Sequence, residues 1–174
     1  MNNYGFCGTT NSIVVQLAEE KGYDIAIKVC RYLITDGYNI RWYVLGEGSE
    51  RRKSEQLISD NGLHEKFILL GNENNPYGFL ESCDLFMQTS RHEGFGLAIN
   101  EARVLYKPII STDVVGAKAQ IEDGITGWIV SQNLEKIVER VEWCLDNPEQ
   151  CKKITDNLRK MKIQCDESIE KLFI

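Results

Sequence analysis

Two glutamates stand eight residues apart in SRHEGFGLAINEA, Glu93 and Glu101, with Gly94 and Gly96 between them. An ionised carboxylate only accepts hydrogen bonds, so each suits a pair of neighbouring hydroxyls such as those on a sugar. The glycines leave the backbone unobstructed where the apolar run DLFMQTS gives way to a helical pattern. The amides around Phe95, Gly96 and Leu97 can therefore face an anion at a positive helix end. Eight residues at a helical rise of about 1.5 Å cover on the order of 12 Å, less where the loop folds back. That reach matches a molecule with a hydroxylated ring at each end and a diphosphate between.

Other residues offer weaker chemistry. In GEGS, Gly46, Gly48 and Ser49 could turn backbone amides toward phosphate, but Arg51 replaces the third glycine of a dinucleotide fingerprint. A tight turn with a helix cap explains the stretch equally well. His92, beside Glu93, could act as an acid or base, or simply be a hydrogen-bonded surface histidine. Six cysteines, at 7, 30, 83, 144, 151 and 165, include no C-x-x-C pair. With only His64 and His92 to assist them, they read as reduced, mostly buried thiols, and no metal site is expected.

The elements that must position these groups alternate along the chain. SIVVQL (12–17) reads as a strand and GYDIAIKVCRYLITDG (22–37) as a helix, with Ile25, Ile27, Val29, Leu33 and Ile34 at helical spacing. IRWYVLG, KFILLG, DLFMQTS, PIIST and GWIV read as further strands. SERRKSEQLISDNG, a short segment from Pro76, GLAINEARVLYK and two segments after Asn133 read as helices. The expected fold is an α/β, Rossmann-like parallel sheet of about six strands with helices on both faces and right-handed crossovers. Ligands bind beyond the carboxyl ends of such strands, so the loops that follow strands are the ones to read.

The length of 174 residues suits one domain, 1–174, with closing helices over 147–174. Hydrophobic residues make up 43% and only three prolines occur, which excludes extensive disorder. No apolar stretch approaches the roughly 20 residues of a membrane span, and MNNYGFCGTT lacks the layout of a signal peptide, so a cytoplasmic location is expected. The net charge of −6 argues against a sequence-independent grip on nucleic acid. The basic run KKITDNLRKMK (152–162) reads as a solvated helix face, though it could touch anionic lipid or a partner.

Glu93 and Glu101 resemble the E-x7-E signature of retaining glycosyltransferases, and TSRHEGFGLAINEA is similar to the donor-binding motif of glycosyltransferase family 4, also called group 1. KPIISTDVVGAKAQIEDGITGWIV resembles the family's next segment, QLAEEKGYDIAI its first strand and helix, and WYVLGEGSERRK its second. The likeness covers about 12–146, in order. It implies that Glu101 holds the ribose hydroxyls of a nucleotide sugar and Glu93 contacts the transferred sugar. The backbone of Phe95, Gly96, Leu97 and Ala98 would meet the diphosphate and sugar, and the loop opening at Gly71 would border the base.

The family also places an arginine at the end of the first strand and a lysine about five residues later, which neutralise the leaving diphosphate without a metal. Lys21 matches the lysine, whereas the arginine position reads Gln16, a neutral amide. The resemblance implies one half of a GT-B architecture with the acceptor-binding half missing. It also implies a nucleotide diphosphate sugar as donor substrate, no cofactor, and an N-terminal acceptor domain or separate acceptor subunit as partner. Peripheral membrane contact would come through the missing half. Met1 reads either as a gene start or as a methionine added to an excised domain. The first function expected is the donor half of a glycosyltransferase, inactive alone. A non-catalytic nucleotide or sugar-nucleotide binding module is the alternative, which Gln16 favours. A phosphorylation-switch receiver ranks far below, because QLAEEKG offers only glutamates after the first strand.

Overall fold

The structure, a computed structural model, describes residues 11–16 and 22–161. Six strands form one sheet in the order β3-β2-β1-β4-β5-β6. They are β1 (Asn11–Gln16), β2 (Ile40–Leu45), β3 (Phe67–Gly71), β4 (Leu85–Gln88), β5 (Ile109–Thr112) and β6 (Trp128–Val130), and every pairing is parallel. The chain builds outward from β1 to β3, then returns to place β4 on the other side of β1. The order thus reverses between β1 and β4, whose register pairs Ile13 with Leu85 and Val14 with Phe86. A crevice opens at such a reversal, beyond the carboxyl ends of the two strands.

Side chains on the two faces of the sheet feed two cores. On one face Ile13, Trp42, Val44, Met87 and Ile110 pack with α1 (Tyr23–Thr35), α2 (Arg51–Asp60), α6 (Leu134–Asp146) and α7 (Pro148–Lys160). On the other, Leu45, Phe86 and Ile109 pack with α3 (Pro76–Ser82), α4 (Leu97–Val104) and α5 (Val115–Lys118). This two-sided burial is why the strands read as continuous apolar runs rather than alternating ones. Trp42 stacks on Phe67 with ring centroids 5.7 Å apart, which ties β2 to β3 within the first core.

Some boundaries differ from the sequence expectation. The first strand begins one residue earlier, at Asn11. The fourth helix ends at Val104 rather than running on to Lys107, because Tyr106 turns left-handed (φ 55) and the Lys107 amide closes back on the Ala102 carbonyl at 2.9 Å. Pro108 could not have continued the helix. STDVVG, read only as a loop, leads into the four-residue helix α5. In the basic run, Ile154 and Leu158 enter the core while Lys152, Lys153 and Lys160 face solvent. Among the described cysteines, Cys30, Cys83 and Cys144 are buried free thiols. Burial pushes the Cys30 and Cys83 thiols up to about 12.

Leu33 on α1 is fully buried in a core where α1 and α6 pack together. Leu33→Ala is expected to cost about 2–5 kcal/mol in urea unfolding, the usual range for a core leucine, against about 0.5 kcal/mol or less for exposed Lys152→Ala. A cost below about 1 kcal/mol at Leu33 would contradict this packing.

Candidate functional site

The start of α1 and the loop after β4 meet beside the strand-order reversal. Gly22, the N-cap of α1, has φ 62 and lies so close to Thr89 that a Cβ there would collide with the Thr89 carbonyl. The Thr89 hydroxyl donates to the Gly22 carbonyl at 3.2 Å. From the opposite side, the Thr112 hydroxyl at the end of β5 donates to the Ser90 carbonyl at 2.6 Å. The loop leaving β4 is therefore anchored to segments on both of its flanks.

That loop carries Glu93 back to the start of α4. Gly96 caps the helix with φ 78, a left-handed conformation that disfavours a side chain. Its amide donates to Glu93 Oε1 at 3.2 Å, while Gln88 Nε2 donates to Glu93 Oε2 at 2.9 Å. The Glu93 carboxylate thus lies at the positive end of α4. The Gly116 amide of α5 donates to the Glu93 carbonyl at 2.9 Å, and Gln120 Nε2 donates to the carbonyls of Phe95, Gly96 and Gly116. A Cβ at Gly116 would stand 2.8 Å from the Phe95 carbonyl, so α5 can approach this closely only with glycine there.

The Leu97 and Ala98 amides, in the first turn of α4, have no intrahelical acceptor and remain available to a ligand by the geometry of any helix start. Phe95 and Leu97 are 64% and 60% exposed, whereas Ala98 is buried. Glu101, one turn further along α4, accepts from the Tyr77 hydroxyl at 3.3 Å. Burial first, then the charge of Glu101 and this hydrogen bond, raise the Tyr77 phenol above its ordinary value of 10.0. A cleft of about 540 Å³ opens beside Glu93, with His92, Lys118 and Asp113 among its walls.

Of the residues singled out in the sequence, Glu93, Phe95, Gly96, Leu97, Ala98 and Glu101 fall together on one loop and helix start. Gly71 has a local reason to be glycine: φ is 78, its carbonyl accepts from the Gly46 amide at 2.8 Å, and a Cβ would sit 2.6 Å from Glu47 Oε1. Gln16 ends β1 opposite Leu45, and Lys21 lies outside the described residues. Sequence reading missed Gln88 and Tyr77, which grip the two glutamates, and Gln120, which braces the loop. A polar residue closing an otherwise apolar strand, LFMQ, was the available signal for Gln88. Among the described residues no group of three or more His, Cys, Asp or Glu could hold a metal, and no helix is long and apolar enough to cross a membrane.

Comparison with known proteins adds an independent line. The family profile described as Glycosyl transferases group 1 matches residues 12–161. Alpha-D-kanosaminyltransferase of Streptomyces kanamyceticus is 29% identical over 147 residues, which cover 83% of this chain and 38% of that protein. WaaG, a glycosyltransferase involved in lipopolysaccharide biosynthesis, superimposes with a TM-score of 0.82 at 21% identity over 93% of this chain and 45% of its own. The Anabaena protein HepE, solved in complex with UDP and glucose, gives a TM-score of 0.78 at 22% identity over 86% of this chain and 43% of its own. The chain therefore spans less than half the length of each of these three proteins.

The Tyr77–Glu101 contact can be read by titration. The tyrosinate absorbance of the wild type, less that of Tyr77→Phe, isolates one phenol, which should ionise above 10.0. Glu101→Gln removes the carboxylate charge and should bring that ionisation to lower pH, still above the ordinary value because burial persists. An unchanged titration would show that Tyr77 does not sense Glu101.

Proposed function

This chain belongs to the glycosyl transferases group 1 family, and on that premise we propose that it is the donor-binding half of a retaining glycosyltransferase that takes its sugar from a nucleotide diphosphate sugar. Its Rossmann-like fold is that of one half of a GT-B enzyme. The observation that most directly supports the reading is the pairing of two held carboxylates on one helix start. Glu93 lies against the Gly96 amide at the start of α4, and Glu101 is held by Tyr77 one turn along. A ribose diol on Glu101 and the transferred sugar on Glu93 would leave the diphosphate beside the Leu97 and Ala98 amides.

In the proposed reaction the bond between the anomeric carbon and the diphosphate oxygen breaks. A bond to the acceptor oxygen forms on the same face, and the acceptor proton passes to the departing diphosphate. Charge builds on that diphosphate, so the helix end, its amides and Lys21 supply the stabilisation. HepE was solved with UDP, which makes a uridine diphosphate sugar the first donor to test. The acceptor site, and any contact with a membrane surface, belong in this proposal to a second domain or subunit on the cytoplasmic side. The names of relatives in capsular polysaccharide and colanic acid biosynthesis suggest a saccharide or glycolipid acceptor. A binding module without chemistry is the second reading, and the neutral Gln16 where the family has arginine favours it.

Two outcomes test this. The 174-residue chain alone should transfer sugar to none of a panel of lipid and saccharide acceptors, because the surface that orients the acceptor and excludes water is not part of it. Turnover matching an intact two-domain enzyme would contradict the proposal. In calorimetric titrations, Glu101→Ala should weaken nucleoside diphosphate and nucleotide sugar alike, and Glu93→Ala only the nucleotide sugar. Each loss should be about 1–3 kcal/mol, or roughly five- to 150-fold in affinity. Two variants that both bind like the wild type would remove α4 from the donor site.

A further inference from the structure

Gln88 is buried to within 1% of full enclosure at the end of β4, behind the apolar residues Leu85, Phe86 and Met87. A leucine would fill such a place without burying an unpartnered amide oxygen, at the loss of a donor to Glu93 Oε2. Gln88 instead spends its amide nitrogen on Glu93 Oε2 at 2.9 Å, and its Oε1 is buried with no hydrogen-bond partner among the described residues. An enclosed, unpartnered carbonyl oxygen lowers stability, so packing alone does not account for a glutamine here. What the residue does achieve is to fix the plane of one carboxylate. Glu93 Oε1 takes the Gly96 amide and Oε2 takes Gln88, two donors from different elements, one a rigid strand and the other a helix start.

We infer that Gln88 is a positioning residue for sugar recognition, acting through Glu93 and touching no ligand itself. The inference rests on the donor-site reading, in which Glu93 meets hydroxyls of the transferred sugar and Glu101 the ribose. Gln88 then governs selectivity for the sugar-bearing ligand over the free diphosphate, and nothing about the ribose end depends on it. Two hydroxyls of a sugar ring can be met together only by a carboxylate whose rotation is fixed, and a freely turning one would lose that discrimination.

The test uses the full chain and isothermal titration with UDP-glucose, UDP-N-acetylglucosamine, GDP-mannose and ADP-glucose, each beside its free diphosphate. Gln88→Leu should weaken the bound nucleotide sugar roughly three- to tenfold while the matching diphosphate stays within about twofold. Its melting temperature should change little, because loss of the unpartnered Oε1 offsets loss of the donor to Glu93 Oε2; Gln88→Met serves as a second apolar replacement should leucine fit badly. In a Glu93→Ala background the same substitution should have no effect on either ligand, since a residue acting through Glu93 has nothing left to position. A purely structural role would instead lower both ligands together, or persist without Glu93, and either result overturns the inference. Unaltered selectivity in both Gln88 variants overturns it too, with the donor site intact. A wild type that binds no ligand of the panel would bring down the donor-site reading and this inference with it, which the wild-type titrations show before any variant is made.

Discussion

The placement of Glu93 depends on how eight residues, Thr89 to Gly96, turn the chain from β4 into α4. Nearly every neighbour helps to hold them. Thr112 donates to the Ser90 carbonyl, Gly116 to the Glu93 carbonyl, and Gln120 to the carbonyls of Phe95 and Gly96. Gly22 presses on Thr89 from the first strand's side. Backbone carbonyls in a surface loop would otherwise be satisfied by water and the loop would wander; here they are satisfied by groups that the sheet and α5 already fix. The α4 amides and the two carboxylates inherit that rigidity.

Rigidity of this kind needs strands that cannot shift, and the two cores supply them. Along β4, Leu85 and Met87 belong to one core and Phe86 to the other, so a slip of one residue would exchange the faces of the whole strand. The same alternation runs through β2 and β5. Position at the carboxyl end of β4 is thus set by apolar packing on both sides, and polar contacts finish the aim of individual side chains. Interactions of the two kinds divide the work. Burial fixes where the loop starts, and hydrogen bonds fix how its carboxylates face.

How far this could be read from residues alone follows the same division. The alternation of strands and helices was legible because burial on both faces of a parallel sheet leaves apolar runs of characteristic length. Glu93, Glu101 and the glycines were legible because their spacing is local. Gln88 and Gln120 were not, since what they do depends on partners brought near only by folding. Tyr77 lies 24 residues from Glu101, and no periodicity links them. The early end of α4 came from Tyr106 adopting a conformation that tyrosine rarely takes, against a helical pattern that ran on through Leu105. Gly71 was read as the end of a strand whose loop would border a base; its positive φ and the Gly46 bridge add a local backbone demand that spacing does not reveal.

The charges around Glu93 bear on how a diphosphate would be met. Arg91 reaches both carboxylate oxygens of Asp24, at 2.7 and 2.8 Å, and Lys118 reaches Asp113 at 2.6 Å. Burial works against the Asp24 anion, yet the Arg91 hydrogen bond and charge prevail and hold its carboxyl below the usual range. Neither cation is therefore in reserve: recruiting one to a phosphate means breaking an existing pair. Exposed pairs of this sort contribute little to stability, so exchange is feasible, but the net gain from it is correspondingly small. Gln16 adds no charge at the end of β1. With Arg91 and Lys118 paired, the proposed donor site would rely on the oriented amides at the start of α4. Those amides cost nothing to reorganise when a ligand arrives, because the loop that aims them is already pinned by Thr112, Gly116 and Gln120.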